Sequence, residues 1–172
     1  MKFLEGTQIY LRPIVTDDAT PDYVGWMNDL EVTSGLISGY FPTTLEGLRS
    51  YIGGVSNSSA VMFAICLKES DLHVGNIKLG SFDWFARTCE LGIMIGDKNY
   101  WGKGIGKDAC TVVTDYAFNK LNLEKLWLAV FDNNAKAIKL YEDLGFEVEG
   151  TQHRHVFKDG QFWNKILMAK FK

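Results

Sequence analysis

Three glycines alternate within the stretch Tyr100-Trp101-Gly102-Lys103-Gly104-Ile105-Gly106-Lys107. An apolar run of strand length, 91–95, precedes the stretch, and apolar residues at helical spacing follow it over 105–121. A strand, a glycine-rich turn and a helix in this order leave free backbone N–H groups at the start of the helix, where the helix dipole favours anions. Glycine also lets a phosphate approach the backbone closely. The stretch therefore predicts a site for a phosphate-bearing ligand.

The spacing of these residues excludes two common phosphate-binding loops. A P-loop requires G-x-x-x-x-G-K-[ST], but Asp97 stands where the first glycine belongs and Gly104 follows Lys103. A dinucleotide-binding fingerprint requires G-x-G-x-x-G, and here Lys107 occupies the place of the third glycine. The phosphate ligand must therefore be of another class.

Composition indicates an ordinary globular protein. The chain has 172 residues, of which 47% are hydrophobic and 23% charged, with a formal net charge of −3. This length fits a single domain over residues 1–172. The lack of a basic excess argues against a nucleic-acid partner, and no apolar run approaches the roughly 18 residues of a membrane span. The first residues lack the long apolar segment of a signal peptide. The widely spaced Cys66, Cys89 and Cys110 predict neither a disulfide framework nor a zinc site, so the predicted location is the reducing cytoplasm.

Local signals predict an α+β fold. Thr20-Pro21 is typical of a helix start, Thr43-x-x-Glu46 of a capping box, and Gly145 of a helix end. The predicted elements form a mixed sheet with helices on both faces, and the three middle strands of this sheet form an antiparallel meander. The strands are expected over 7–12, 60–67, 73–82, 88–96, 126–131, 146–149, 152–157 and 162–171, and the helices over 20–28, 43–52, 105–121 and 134–144, with a hairpin turn at Asp159-Gly160.

Several segments resemble one known family. Gly104-Ile105-Gly106 matches the end of the motif [Q/R]-x-x-G-x-[G/A] of the GNAT superfamily of acetyl-coenzyme A-dependent N-acetyltransferases, with Trp101 in place of Gln or Arg. Residues 134–146, NAKAIKLYEDLGF, are similar to that family's N-x-x-[AS]-x-x-x-Y-x-x-x-G-F. Segments 9–13 and 26–32 resemble its ribosomal-protein, polyamine and amino-sugar acetyltransferase branch. The resemblance implies the GNAT fold, a central, mixed, mostly antiparallel twisted sheet with helices on both faces.

The same resemblance implies acetyl-coenzyme A as co-substrate. The backbone N–H groups of the glycine stretch would hold the pyrophosphate. A bulge near Gly92 and Gly96 would aim a backbone N–H of that strand, here the N–H of Met94, at the thioester oxygen. Asn134 would cap the last helix, touch the coenzyme, or do both. The coenzyme-binding residues implied in this way are Met94, Gly102, Lys103, Gly104, Ile105, Gly106, Lys107, Asn134 and Ala137.

Acetyl transfer to an amine requires an acid for the leaving thiolate and a base for the amine. Tyrosine, with a pKa of about 10, is protonated at pH 7 and can donate to a thiolate, whose thiol has a pKa of about 8.5. Tyr141 stands at the family's acid position, although tyrosine at helical spacing is otherwise a core residue. Glu90, an acid in an apolar strand, is the candidate base, and the alternative is a charge that faces solvent. No cysteine stands at a nucleophile position of the family, so direct attack is expected.

The amine stays open between a nucleotide-linked amino sugar, a protein N-terminus and a polyamine. We expect the acceptor site between loop 34–42 and hairpin 152–163. A polyamine calls for several carboxylates, and loop 34–42 has none. His153, Arg154 and Lys158 suit a diphosphate, which favours the nucleotide-linked amino sugar. No metal is predicted, because His73, His153 and His155 are not spaced as ligands.

Two further alternatives stay open. The protein could be a module that binds coenzyme A without turnover instead of an enzyme, and it could assemble as a homodimer instead of a monomer. Aromatic side chains near the predicted acceptor site either stack on a sugar or base or fill the core, and core packing is the more usual case. These side chains are Tyr40, Phe41, Trp84, Phe85, Phe162 and Trp163.

Overall fold

The structure, a computed structural model, describes residues 1–55 and 60–172. Its eight strands form one sheet in the order β1-β2-β3-β4-β5-β6-β8-β7. The strands are β1 (Leu4–Glu5), β2 (Ile9–Pro13), β3 (Val61–Leu67), β4 (His73–Asp83), β5 (Thr88–Ile95), β6 (Lys125–Phe131), β7 (Glu147–Lys158) and β8 (Gln161–Phe171). The α-helices are α1 (Pro21–Asn28), α2 (Leu45–Val55), α3 (Ile105–Asn119) and α4 (Ala135–Asp143).

The sheet opens in its middle. Neighbouring strands are antiparallel except β5 and β6, which run parallel and pair only over residues 88–90 and 125–127. Beyond that point β5 stays paired with β4 as far as Ile95, and β6 stays paired with β8 as far as Phe131. The two strands therefore separate after Glu90 and Trp127. Their facing edges carry backbone groups that a continuous ladder would use.

Helices cover both faces of the sheet, as the sequence predicts. α3 and α4 pack over the larger core, which contains Leu91 of β5. α1 and α2 pack over the opposite face together with Met62 and Met94. Because side chains alternate along a strand, Glu90 and Gly92 share the α1–α2 face with Met94. Within the described ranges, we find no helix whose length and apolarity would let it cross a membrane.

Most predicted elements are confirmed to within a few residues, including the antiparallel meander β3-β4-β5. The two-residue turn at Asp159-Gly160 is confirmed by φ angles of 52° and 79°. The short strand β1 was not predicted, because two residues give no periodic signal. The strands predicted over 146–149 and 152–157 are one strand, β7, with an irregular register near Gly150 and after Gln152.

One local prediction is wrong, and a second holds at one of its two positions. The capping box was assigned to Thr43, but α2 begins at Leu45 and the Thr44 hydroxyl accepts the N–H of Gly47 at 3.1 Å. The bulge expected near Gly92 and Gly96 is absent at Gly92. At Gly96 the ladder is irregular, since the N–H groups of Gly96 (2.9 Å) and Asp97 (3.2 Å) both donate to the carbonyl of Val74. The β4–β5 ladder keeps one register from Ile95 to Glu90, and a second irregularity lies further on, where Ser81 of β4 has a φ of 51°.

Candidate active site

The glycine stretch forms the turn that enters α3. Gly102 and Gly104 have φ angles of 71° and 81°, in the left-handed region that favours glycine, and Gly104 directly precedes the helix. The first N–H groups of α3, which have no partner within the helix, therefore lie at an exposed turn. Gly106 lies between β5 and α4, since a Cβ there would be 3.8–3.9 Å from Leu140 and Ile93. Two of the three glycines are required by backbone geometry.

A carboxylate anchors this turn to the N-terminal strands. Asp108, in the first turn of α3, accepts the backbone N–H groups of Thr7 (2.9 Å), Gln8 (2.7 Å) and Ile9 (3.2 Å). The Gln8 amide in turn donates to the carbonyl of Lys103 at 3.3 Å. Sequence reasoning missed both residues. The one available signal was an acid in the first turn of a helix, which also suits the helix dipole.

Trp101 replaces the Gln or Arg of the family motif and ties the turn to β5. Its indole N–H donates to the carbonyl of Ile95 at 2.8 Å, and its side chain is 37% exposed. The Lys103 ammonium lies 5.1 Å from the centre of the Tyr100 ring. The turn is therefore fastened at both ends, by Trp101 to the sheet and through Lys103 to Gln8.

The register of β5 decides which backbone amides face the opening. The N–H of Gly96 donates to the carbonyl of Val74 at 2.9 Å, and Met94 lies opposite Asn76. Hydrogen-bonded pairs alternate in an antiparallel ladder, so the Met94 N–H points to β4. The amides of Ile93 and Ile95 point to the opening instead. The N–H groups of Ile93 and Ile95 are therefore better placed than the Met94 N–H for the expected hydrogen bond to the thioester oxygen.

Tyr141 is buried on α4 with an available hydroxyl. It is 8% exposed, and its ring centre lies 5.8 Å from that of Phe146. Burial raises the pKa of Tyr141 above its ordinary value, which keeps the hydroxyl protonated at neutral pH. No group within residues 1–55 and 60–172 hydrogen-bonds to this hydroxyl. Its proton is therefore free for a ligand, as an acid role requires.

The cysteines are all free and buried. Burial raises the pKa of Cys89 and of Cys110 to about 12, so both stay thiols at neutral pH. Burial likewise raises the pKa of Cys66. Because the thiolate is the reactive form, this environment gives no activated cysteine nucleophile.

Asn134 caps α4. Its side-chain oxygen accepts the N–H of Ala137 at 3.1 Å, which confirms the capping role. Its amide nitrogen points toward loop 34–42, since a Cβ on Gly35 would lie 2.7 Å from it. Contact of Asn134 or Ala137 with the coenzyme stays a prediction.

Two adjoining cavities lie on the α1–α2 face, next to loop 34–42. They measure about 740 Å³ and about 570 Å³ and share Lys78 and Gly92 in their walls. Glu90 is half-buried in the wall of the second cavity, where its carboxylate accepts the Ser81 hydroxyl at 3.0 Å. Glu90 is also the last β5 residue paired with β6. The candidate base therefore borders both a cavity and the opening.

Hairpin β7–β8 holds loop 34–42 in place. The Lys158 ammonium donates to the carbonyls of Thr33 (2.5 Å), Ser34 (3.1 Å) and Leu36 (3.2 Å), and the Tyr40 hydroxyl donates to the carbonyl of Phe157 (2.7 Å). Burial lowers the pKa of Lys158. The loop and the hairpin contact each other, but residues 152–163 of the hairpin line neither cavity, and an acceptor site between them stays a prediction. The Lys158 ammonium binds loop carbonyls and not a phosphate.

The other residues expected to meet a diphosphate lie outside the cavities. His153 and Arg154 are exposed and line neither cavity, and the Arg154 guanidinium lies 4.9 Å from the centre of the Phe162 ring. Over the described part of the chain, no three His, Cys, Asp or Glu side chains cluster as metal ligands. Neither finding points to a phosphate or a metal at this face.

The aromatic side chains divide into two groups, and core packing is the wrong interpretation for most of them. Tyr40 and Phe41 line the first cavity. The remaining four lie outside both cavities: Trp84 (58% exposed), Phe85 (fully exposed), Phe162 (51% exposed) and the half-buried Trp163, whose indole donates to the Lys158 carbonyl at 3.3 Å.

Comparison with known proteins identifies the family. The family described as "Acetyltransferase (GNAT) domain" matches residues 8–147, which is most of the chain, and the chain therefore belongs to it. The "Uncharacterized N-acetyltransferase p20" of Bacillus licheniformis is 31% identical over 176 residues, an alignment that covers 100% of this chain and 97% of that protein.

Several relatives are named for polyamine acetylation. The spermidine N(1)-acetyltransferase of Escherichia coli K12 is 40% identical over 98 residues, 57% of this chain. The chain matches about half, 52%, of that relative's length. The crystal structure of spermidine N-acetyltransferase from Vibrio cholerae in complex with CoA and spermine superimposes with a TM-score of 0.86 at 25% identity and covers 95% of both chains.

Proposed function

We propose that this protein is an acetyl-coenzyme A-dependent N-acetyltransferase that acetylates a small primary amine by direct attack. One observation carries the proposal: the opening between β5 and β6 separates a candidate acid from a candidate base. Tyr141 belongs to the core on the α3–α4 face, and Glu90 lies in a cavity wall on the α1–α2 face. A thioester inserted between the strands would meet both groups.

The residues around the opening fit acetyl-coenzyme A. The first amides of α3 and the left-handed Gly102 and Gly104 form a turn suited to a pyrophosphate, and Lys103 and Lys107 add positive charge. The amides of Ile93 and Ile95 suit an extended amide chain that lies along the edge of β5. The GNAT relative from Vibrio cholerae, described in complex with CoA, has the same fold. When bound, acetyl-coenzyme A supplies an acyl group activated as a thioester.

The chain's own groups account for both proton transfers. An alkylamine, with a pKa of about 10.4, is protonated at pH 7, so Glu90 would take one proton, directly or through a water. The amine nitrogen then forms a bond to the thioester carbon, the carbon–sulfur bond breaks, and the nitrogen releases its second proton to solvent as the amide forms. Tyr141 gives its proton to the departing sulfur and regains one from solvent. The buried cysteines take no part.

The acceptor is proposed to be a small amine without a nucleotide. His153, Arg154 and Lys158 gave the nucleotide-linked amino sugar its support, and none of the three lines a cavity. Relatives named for spermidine acetylation favour a small amine. A single domain, a cytoplasmic location and a homodimer stay predictions.

Release of coenzyme A thiol from acetyl-coenzyme A, measured with a panel of primary amines, tests the proposal. We expect Tyr141→Phe to lower kcat by about 100-fold or more, in the range of a lost general acid, without weakening coenzyme binding in calorimetry. Tyr116→Phe is the matched control, since Tyr116 lies on α3 and packs against Phe3 and Phe63. Coenzyme binding with no thiol release for any amine would overturn the proposal and favour a non-catalytic binding module.

A further inference from the structure

We propose that Gly92 is a specificity-determining residue for the acceptor. Its lack of a side chain joins the two cavities, so that an amine in the second cavity extends its body into the first. The inference rests on the acetyl transfer proposed above and names its acceptor class, a primary amine on an elongated, uncharged, apolar chain.

The second cavity lies at the opening between β5 and β6. It is lined by residues 91–92 of β5 and by Ala129 and Phe131 of β6, which lie where these two strands have separated. Glu90 belongs to the same wall, and its carboxylate accepts the Ser81 hydroxyl. An amine that attacks a thioester held between the strands must therefore stand in this cavity.

The boundary between the two cavities is open above the sheet. Both cavities are lined by residues 36–38 of the loop and, on the sheet, by the paired residues Lys78 and Gly92. The Lys78 side chain turns away along β4, since a Cβ on Gly80 would lie 3.4 Å from its Cε. Gly92 is exposed although β5 is an interior strand of the sheet. A passage therefore leads from one cavity to the other between the loop and Gly92.

Backbone geometry does not require a glycine at this position. The φ angle of Gly92 is not positive, unlike those of Gly102 and Gly104, and a Cβ on Gly92 would meet nothing within 4 Å. Glycine in the interior of a strand is less favourable than a β-branched residue. A ligand that passes close to the backbone accounts for a glycine in such a place.

The first cavity suits an uncharged, apolar body. Its wall includes Met27, Met62 and Met94, whose flexible side chains adapt to different shapes, and the rings of Tyr40 and Phe41. None of the described residues that line this cavity is an aspartate or glutamate. A second ammonium group would lose water here without gaining a counter-charge, whereas a hydrocarbon body gains from the same burial.

The sheet sets how far this body reaches. Gly92, Lys78 and Met62 lie side by side on β5, β4 and β3. Neighbouring strands are about 4.8 Å apart, so this row extends about 10 Å from Gly92 to the far wall of the first cavity. An acceptor that spans the row needs a body several carbon atoms long.

Three amines test the inference through kcat/KM for thiol release: propylamine, heptylamine and 1,6-diaminohexane. Heptylamine and 1,6-diaminohexane have the same number of heavy atoms and differ in a terminal methyl or ammonium group. Each buried methylene contributes up to about fourfold, so heptylamine should exceed propylamine by about tenfold or more. Heptylamine should exceed 1,6-diaminohexane by a similar factor, because the first cavity offers no counter-charge.

Substitution of Gly92 should narrow the passage in steps. From Gly92→Ala to Gly92→Val to Gly92→Leu, the ratio of kcat/KM for heptylamine to that for propylamine should fall progressively and approach one. Gly92→Val should not lower the urea midpoint, because valine favours strands and its Cβ meets nothing within 4 Å. Gly150→Val is the matched control and should keep the parent ratio, since a Cβ on Gly150 of β7 also meets nothing within 4 Å and Gly150 lines neither cavity.

The outcomes separate this inference from the proposed function. A parent protein that does not prefer heptylamine to both other amines would overturn the inference and leave the acetyltransferase proposal standing. Gly92 variants that lower both monoamines by the same factor would do the same. The comparison of the three amines needs no variant, so it decides the inference even where a variant does not fold. No thiol release with any amine, in a protein that binds coenzyme A, would overturn the proposed function and this inference with it.

Discussion

Removal of the Asp108 carboxylate should destabilise the protein and weaken coenzyme binding together. The side chain accepts three backbone N–H groups from residues 7–9, which hold the start of α3 against the N-terminal strands. Buried hydrogen bonds to a charged acceptor contribute about 1.5–3 kcal/mol each. Asp108 is half-buried, so water offsets part of this, and about 1 kcal/mol per bond is the better figure. Asp108→Ala should then lower the free energy of unfolding by about 3 kcal/mol and Tm by roughly 6–12 °C.

Urea unfolding and calorimetric titration with coenzyme A measure the two effects separately. Asp115→Ala is the matched control, because Asp115 lies exposed on the same helix and its carboxylate accepts the Asn119 amide at the surface. We expect that control to stay within about 0.5 kcal/mol of the parent protein. The anchoring argument fails if Asp108→Ala is no less stable than Asp115→Ala. If stability falls and coenzyme affinity does not change, the carboxylate holds the strands but does not shape the binding turn.

Three further predictions concern the turn, the buried thiols and the loop. Gly104→Ala should lower the free energy of unfolding by about 1–2 kcal/mol, because φ is 81° at this position. Gly25→Ala within α1 should raise the free energy of unfolding by up to about 1 kcal/mol, because a Cβ there meets nothing within 4 Å. Urea unfolding measures both changes. Burial raises the pKa of Cys89 and Cys110 from 9 to about 12, so the stability that these thiols contribute is full below pH 9 and is lost as the pH rises toward 12. Urea unfolding at pH 8 and pH 10 measures this loss of stability. Cys110→Ala should make the loss smaller. Lys158→Met releases three carbonyls of the loop and should raise KM for the amine several-fold with little change in coenzyme affinity, as measured by steady-state kinetics and calorimetry.

Each of these predictions has a clear contrary result. The changes in unfolding free energy for Gly104→Ala and Gly25→Ala should have opposite signs, so a loss of stability in both variants would show that the left-handed turn is not the cause. Stability that stays level between pH 8 and pH 10 would contradict the burial of the thiols. A Lys158→Met variant with an unchanged KM would show that the loop keeps its shape without the lysine.

Local signals in the sequence were sufficient for the parts of the site that lie within one segment. The glycine turn, the Asn134 cap and the burial of Tyr141 all depend on residues within a few positions of one another. The same holds for Asp159-Gly160, where two adjacent residues determine the hairpin. Such features follow from backbone preferences that each short stretch carries by itself.

Contacts between distant segments could not be predicted. Asp108 binds residues about 100 positions earlier, and Lys158 binds a loop about 125 positions earlier, so no periodicity connects them. Which β5 amides face the opening depends on the register of the strand. A shift of one residue would turn the Met94 amide toward the opening and the Ile93 amide toward β4.

The opening also divides the sheet into two parts of unequal size. Strands β1 to β5 form one part and β6, β8 and β7 the other, and three residue pairs join them. A ligand that takes the amides of Ile93 and Ile95 occupies the place of a missing strand and bridges the two parts. In the proposed reaction, each turnover therefore completes the sheet and then breaks it again. The free protein should exchange its amide hydrogens as two cooperative units, which the bound coenzyme makes into one.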